Sequence, residues 1–309
     1  MNIQRLLTQI PSLYPFDLSY TPILLREGID NDVYIFRHTN GNKVVLRISK
    51  RDVSKTIDFE TKLQRHFFEH QVPVAELLPT NNGNWWGTID GVVVIALSFV
   101  PGKNILVKPD TKPDTGYAVS AGKVLGQLHT TGLSFSYNNS ERRTIFTEYQ
   151  RALLRKDFIS KLEGGSRFLE KVESYLKWAQ EYKGNSGIIH NDYIPGNVLF
   201  NNLSVSAVVD FDWACRGPLI KDLGIALAEW SLPDGLEQHW KDIFTSFLEG
   251  YNESAPEKIL PDSSLYKWIC YSCLSDACTF FSDLPGDSEI KSTGQCRRYN
   301  KFLYFEKDL

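Results

Sequence analysis

Through the first hundred positions the apolar residues fall in short runs rich in Val, Ile, Leu and Phe; beyond them they recur every three or four residues. The first pattern is that of strands and the second that of amphipathic helices. Ile23–Arg26, Val33–Arg37 and Val44–Ile48 read as strands, the last two joined by a turn containing Asn40-Gly41. Ser54–His70 reads as a helix, because Ile57, Leu63 and Phe67 share a face and Pro73 lies just past its end. Trp85–Ile89 and Val92–Phe99 read as strands around an Asp90-Gly91 turn. Ahead of these, Ile3, Leu6, Leu7 and Ile10 fit one face of a short amphipathic helix.

Pro101-Gly102 punctuates the chain, after which helical spacing dominates. Helices are expected at 117–129, 145–162, 168–182, 223–230, 238–251, 265–281 and 289–305, with strands only at 187–190, 198–200 and 207–209. The pattern predicts an α+β chain of two lobes: residues 1–100, a small antiparallel sheet with one helix, and residues 101–309, larger and mainly helical.

Composition narrows the class without naming a chemistry. With 309 residues, 42% apolar and 23% charged, the chain is an ordinary globular one, and disorder and coiled coil are excluded. A net charge of −3 excludes a chain-wide basic surface, so no nucleic-acid partner is expected. The opening Met1-Asn2-Ile3-Gln4-Arg5 lacks the apolar core of a signal peptide. The longest apolar run, Val92–Leu97, is far short of the roughly 20 residues of a membrane helix, so no membrane segment is expected. Five cysteines, an odd and sparse number, fit a reducing cytoplasm. Cys270, Cys273 and Cys278 have a spacing that could suggest zinc, but they sit among Trp268, Ile269, Tyr271 and Leu274 and read as small apolar residues of a helix.

The chemistry lies in Ile188–Trp213. His190 and Asp192 follow a short apolar strand, Asn197 comes five residues after Asp192, and Asp210-Phe211-Asp212 begins thirteen residues after Asn197. This H-x-D-x4-N spacing, then a strand and D-F-x, is an arrangement used for phosphoryl transfer. ATP brings negative charge, and hard Mg²⁺, which neutralises it, takes oxygen ligands. Asn197 and Asp210 supply such oxygens, Asp212 is a further candidate, and Asp192 is placed to accept or orient the proton of an attacking hydroxyl.

These residues, together with Leu125-Gly126-Gln127-Leu128-His129, resemble the aminoglycoside phosphotransferase and choline kinase superfamily of small-molecule kinases. Glu27-Gly28-Ile29-Asp30-Asn31 and the segment from Trp213-Ala214-Cys215 to Asp222-Leu223-Gly224 are similar to type II homoserine kinases. The resemblance implies a protein-kinase-like bilobal fold, ATP and Mg²⁺ as cofactors, and an acceptor that is a small alcohol, amine-bearing, such as homoserine, a choline-like compound or an aminoglycoside. It also implies that main-chain groups from Leu97 through Phe99 to Val100 form a hinge that reads adenine.

Gly28 and Asn31 lie where a phosphate-covering turn is expected, although with one glycine rather than three. Arg47 interrupts Val44-Val45-Leu46-Arg47-Ile48 where a kinase carries a phosphate-binding Lys, and its guanidinium can fork onto phosphate. Glu60 is its expected partner, since it shares the apolar helix face of Ile57 and Leu63, where a solvated charge is out of place. His129 and His190 are assigned to structural hydrogen bonds, and Asp222 to capping a helix or supporting the catalytic loop. Tyr193, Trp213, Trp230, Trp240, Trp268, Tyr271, Asp276, Asp283, Asp287 and Glu289 are aromatic and acidic candidates for holding an ammonium group, with core packing and solvation as the alternative. Ala255-Pro256-Glu257 spells a protein-kinase motif, but helices predicted after Asp212 leave no peptide platform, which disfavours a protein kinase. A catalytically inactive nucleotide-binding module is the other alternative.

Overall fold

The computed structural model describes residues 3–16, 22–27, 30–37, 41–137, 143–233, 238–286 and 288–309. Gly28, Ile29, Asn40 and Asp287 of the sequence argument lie outside the described residues. The chain divides into two compact units. The first comprises Met1–Gly102, Phe135–Arg142 and Ser206–Asp212; the second comprises Lys103–Ser134, Arg143–Val205 and Trp213–Leu309.

In the first unit, helices α1 (Ile3–Thr8) and α2 (Ile10–Leu13) precede strands β1 (Ile23–Glu27), β2 (Asn31–Arg37) and β3 (Lys43–Ser49), helix α3 (Ile57–Glu69), and strands β4 (Leu77–Leu78), β5 (Gly87–Ile89) and β6 (Val92–Ser98). The sheet runs β1-β2-β3-β6-β4, with β5 also on β6, and every pairing is antiparallel. Strand side chains alternate between faces, so one apolar run serves two packing layers. Val44, Leu46, Ile48, Val94 and Ala96 pack with Leu6, Leu7 and Ile10 from the N-terminal helices. Val93 and Ile95 pack on the other face with Ile57 of α3. Arg47 lies opposite Ile95 in the β3–β6 register, so it shares the α3 face. That parity brings a charged strand residue to a helix.

The second unit holds α4 (Thr115–Gly132), α5 (Thr147–Leu154), α6 (Lys156–Ile159), α7 (Gly165–Gln180), β7 (Ser186–Ile189) and β8 (Val198–Asn201). Strand β9 (Ser204–Val208) follows, then β10 (Cys215–Pro218), α8 (Leu219–Ser231), α9 (Lys241–Ser254), α10 (Ser263–Asp283) and α11 (Arg297–Phe305). Aspartates start two of the long helices: Asp114 accepts from Gly116 N at 2.7 Å, and Asp262 from Ser264 N and Leu265 N at 2.9 and 3.1 Å. All thirteen residues of α8 are buried. It carries Lys221, Asp222 and Glu229 through the core, where charges must be paired. No helix among the described residues is long and apolar enough to cross a membrane.

Two expectations need correction. The helix predicted over 145–162 is broken into α5 and α6, where Arg155 N bonds the Ala152 carbonyl in a tightened turn. The helix predicted over 289–305 begins only at Arg297, because Ser292 and Gln295 form a capping box on a separate 3₁₀ turn, Thr293–Gln295. β10 was hidden by its own sequence. Gly217-Pro218 reads as a turn, yet it pairs antiparallel with Gly187 and Ser186 of β7. Ala255-Pro256 follows the end of α9, with α8 and α9 between Asp212 and it.

Helices α4 and α9 approach closely because their contact is built from glycines. A Cβ on Gly122 would stand 2.0 Å from Phe247 O, and one on Gly250 would stand 2.1 Å from Val119 O. Gly122→Val therefore forces the helices apart, at a cost of about 3 kcal/mol or more. A fall in melting temperature of roughly 6 °C or more is expected. A thermal scan of the variant that matches the wild type would refute this packing.

Candidate functional site

In the first unit, a strand arginine, a helix glutamate and the end of β9 converge. Arg47 is 8% exposed and Glu60 3% exposed. Arg47 Nη1 pairs with Glu60 Oε1 and stands 3.2 Å from Asp212 Oδ1. Asp212 Oδ2 accepts from Asn31 Nδ2 at 2.7 Å. The structure thus brings Asn31, Arg47, Glu60 and Asp212 together.

Two acids around one cation do not titrate alike. Burial pushes the Glu60 carboxyl up to about 8, against the pull of Arg47. Burial also raises Asp212, but the charge of Arg47 and hydrogen bonds from Glu60 and Asn31 outweigh it and hold Asp212 well below the usual carboxylate range. Arg47 stays charged because Glu60 and Asp212 overcome its desolvation.

Three polar atoms in this cluster are buried without a hydrogen-bond partner: Arg47 Nη2, Asn31 Oδ1 and Asp210 Oδ1. Asp210 itself is held at φ 70°, a left-handed backbone that is costly for a residue with a side chain. Phe211 is buried with its ring 5.5 Å from Phe67 of α3, which anchors the segment. A donor of fixed positive charge and acceptors left unsatisfied suit a phosphate and a hard cation respectively.

At the end of β6, Leu97 is paired with Val45 and Leu77. Phe99 N donates to Lys43 O at 3.4 Å, the Phe99 ring carries Lys43 Nζ 4.6 Å from its centroid, and Val100 follows. A cavity of about 700 Å³, lined by Phe16, Val44, Leu78 and Phe99, opens here. Val44 belongs to the face turned away from Arg47, so this cavity is not where the orphaned atoms lie.

In the second unit, β7 leads into the loop that carries Asp192. Asn197 Nδ2 donates to Asp192 Oδ2 at 2.8 Å and to Asp192 O at 3.0 Å. That use of its amide leaves Asn197 Oδ1 as the oxygen available to a metal. Asn191 is in the left-handed region at φ 66°. Its side chain donates to Trp213 O at 3.2 Å and accepts from Lys221 Nζ, so the strained residue is held on two sides.

Beneath this loop, Asp222 Oδ2 accepts from His190 N and Oδ1 from Asn191 N, each at 2.7 Å. His129 Nε2 is 3.0 Å from Asp222 Oδ2, and His129 Nδ1 is 2.9 Å from the Tyr251 hydroxyl. Tyr193 faces away from the loop, donating to Ala121 O at 2.9 Å. Trp230, Trp268 and Tyr271 are fully buried and Trp240 nearly so, and Cys270, Cys273 and Cys278 are buried in α10. Asp283 pairs with Arg151 on the surface, and Glu289 is exposed.

Three cations escaped the sequence reasoning: Arg143, Lys221 and Arg298. Arg143 stacks on Trp213, with its guanidinium carbon 3.6 Å from the ring centroid. Arg298 pairs with Glu229 and stands 3.3 Å from Asp276 Oδ2, in the field of Asp192. The available signal was charge inside apolar helices: Lys221 and Glu229 in α8, and Lys301, which donates to Glu229 at 2.8 Å, in α11.

The model of the phosphotransferase enzyme family matches residues 22–255. The homoserine kinase of Bartonella tribocorum is 29% identical over 219 residues, covering 69% of this chain and 65% of that protein's length. The homoserine kinase of Rhizobium etli is 28% identical over 245 residues, covering 77% of this chain and 72% of that one. Among solved structures, an amicoumacin kinase in complex with AMP-PNP, Ca²⁺ and Ami has a TM-score of 0.77 at 16% identity, covering 99% and 94% of the two chains. A microcompartment-associated aminopropanol kinase has a TM-score of 0.70 at 17% identity, covering 98% and 94%. The fold is therefore protein-kinase-like.

Proposed function

The chain belongs to the phosphotransferase enzyme family, and on that premise we propose that it moves the γ-phosphoryl group of ATP to the hydroxyl of a small, amine-bearing alcohol. The observation that carries the reading is the pair of orphaned atoms in one buried cluster, Arg47 Nη2 and Asp210 Oδ1. One suits a phosphate oxygen and the other a cation. Homoserine kinases and an aminopropanol kinase among the similar proteins support an acceptor that carries an amine.

In this reading Asp192 accepts the hydroxyl proton as the alcohol oxygen bonds to the γ-phosphorus. The bond from that phosphorus to the β–γ bridging oxygen breaks, and ADP leaves with its electron pair. Asn197 holds the Asp192 carboxylate in one orientation. Arg47 donates to the nucleotide phosphates, Glu60 and Asp212 fix its guanidinium, and Asn31 covers the phosphates. Main-chain groups from Leu97 to Val100 read adenine. Asn197 Oδ1 and Asp210 Oδ1 are the oxygens offered to Mg²⁺, which when bound neutralises phosphate charge. Asp212 acts through Arg47 and Asn31. Five buried cysteines, none in a disulfide, support a cytoplasmic setting.

The test is an ADP-release screen over homoserine, choline-like alcohols, sugars and aminoglycosides, run beside Arg47→Ala. Release with one class, and a KM for ATP raised about tenfold or more in the variant, is expected from losing a charge-assisted contact. Binding of Mg·ATP with no ADP release from any alcohol would identify a binding module instead.

A further inference from the structure

The residue before Asp192 holds a conformation that its side chain does not require. Asn191 sits at φ 66°, in the left-handed region, where glycine is the least strained residue. Its main chain is held there separately, since Asn191 N donates to Asp222 Oδ1 at 2.7 Å. What the side chain adds is a bridge: Nδ2 donates to Trp213 O at 3.2 Å, and Oδ1 accepts from Lys221 Nζ. Building on the kinase reading, we propose that Asn191, oriented by Lys221, is a positioning residue that ties the Asp192 loop to the main chain at Trp213.

Sheet register shows why a side chain is needed at this point. Strands β7 and β10 pair antiparallel up to Ile189 opposite Cys215. Two residues further on, the same register sets Asn191 opposite Trp213. The left-handed turn takes the Asn191 main chain out of the ladder, and its amide makes the bond to Trp213 O instead. The attachment point is itself fixed, because the Arg143 guanidinium lies 3.6 Å from the centroid of the Trp213 ring.

The two partners allow the Asn191 amide one orientation. An ammonium only donates, so Lys221 must meet Oδ1; a carbonyl only accepts, so Trp213 O must meet Nδ2. A flipped amide would set donor against donor and acceptor against acceptor. The bond from Lys221 is charge-assisted and polarises the amide, which makes Nδ2–H the stronger donor. Lys221 is 1% exposed, on the wholly buried α8, and its charge sits in the field of Asp222 and Asp276. Its own carbonyl accepts from Ser272 Oγ of α10 at 2.8 Å, so the donor is anchored too. Asn197 orients the Asp192 carboxylate, whereas Asn191 and Lys221 set where the Asp192 main chain lies. A displacement of about 1 Å in a reacting group can cost about 10²-fold in rate.

ADP-release kinetics and thermal scans of Asn191→Gly, Asn191→Asp and Lys221→Met test the assignment. Asn191→Gly suits the left-handed backbone and lacks the bridge. Its kcat should fall about 10- to 100-fold, with the melting temperature held and the KM for ATP within about twofold of wild type. Asn191→Asp keeps an acceptor for Lys221 but lacks the donor, so its kcat should fall likewise. Lys221→Met should lower kcat in the wild type and add nothing in the Asn191→Gly background, because Lys221 acts through the amide. Wild-type kcat in Asn191→Gly overturns the inference, and so does a loss seen only in melting temperature or in the KM for ATP. Equal losses from Lys221→Met in both backgrounds overturn the role of Lys221. Should Asn191→Gly fail to fold, Asn191→Asp decides, and full activity there overturns the bridge. Each of these failures leaves the kinase reading intact, whereas a wild type that releases no ADP with any alcohol refutes that reading and this inference with it.

Discussion

Asp192→Asn is expected to leave a folded protein whose ADP release is lower by about 10²- to 10⁴-fold, the usual contribution of a general base. The substitution is nearly isosteric, and Asn197 Nδ2 then donates to an amide oxygen rather than a carboxylate. In the proposed mechanism Asp192 Oδ2 accepts the hydroxyl proton, and an amide oxygen cannot take up that proton at neutral pH. The loss should fall on kcat, because Asp192 is not assigned to bind the nucleotide. Melting temperature should change little, since Asp222 and Lys221 hold the loop independently. Steady-state kinetics with the preferred alcohol, read beside a thermal scan, check both halves. Wild-type turnover in this variant would remove Asp192 from the mechanism.

The two kinds of residue in this site were unequally legible, for a physical reason. Asp192, Asn197 and Asp210 were candidates in the sequence because the chemistry proposed for them depends on a fixed spacing along the chain. Arg47 and Glu60 could be read because each breaks an apolar pattern, one in a strand and one on a helix face, and a buried charge needs a partner. Their pairing was expected from the helical face of Glu60 and from the place of Arg47 in the kinase pattern. By contrast, Arg143, Asp276 and Arg298 come from a loop and two helices separated by long stretches of chain, and no local pattern relates them. Asp276 could be named only as one acid among several, because an acid on a solvated face and one in a pocket have the same sequence surroundings. The same limit hid the strand made by Gly217-Pro218, whose residues favour turns, and which exists because β7 offers it a partner. The orphaned state of Arg47 Nη2 and Asp210 Oδ1 is likewise a property of three-dimensional packing.

Asp222→Ala is expected to be the most damaging single change away from the reacting groups. The side chain is fully buried and accepts from His190 N, Asn191 N and His129. Removing it leaves two backbone donors and a histidine without an acceptor, each at about 1–3 kcal/mol. A total of roughly 3–9 kcal/mol is comparable to an ordinary folding free energy. The strain at Asn191, held at φ 66°, is then no longer opposed from below, so the loop carrying Asp192 relaxes. Acid should expose the same dependence in the wild type. Burial raises Asp222, but the hydrogen bond and charge of His129, with the charges of His190 and Lys221, outweigh it and hold the carboxyl below its ordinary value. A depressed carboxyl contributes stability that is present above its unfolded pKa of about 3.9 and is lost as the pH falls through the folded value. Melting temperatures measured from pH 7 down to pH 3 should therefore fall more steeply for the wild type than for Asp222→Asn, which cannot take up that proton. Equal acid limbs in the two proteins would show that Asp222 does not hold the loop as an anion.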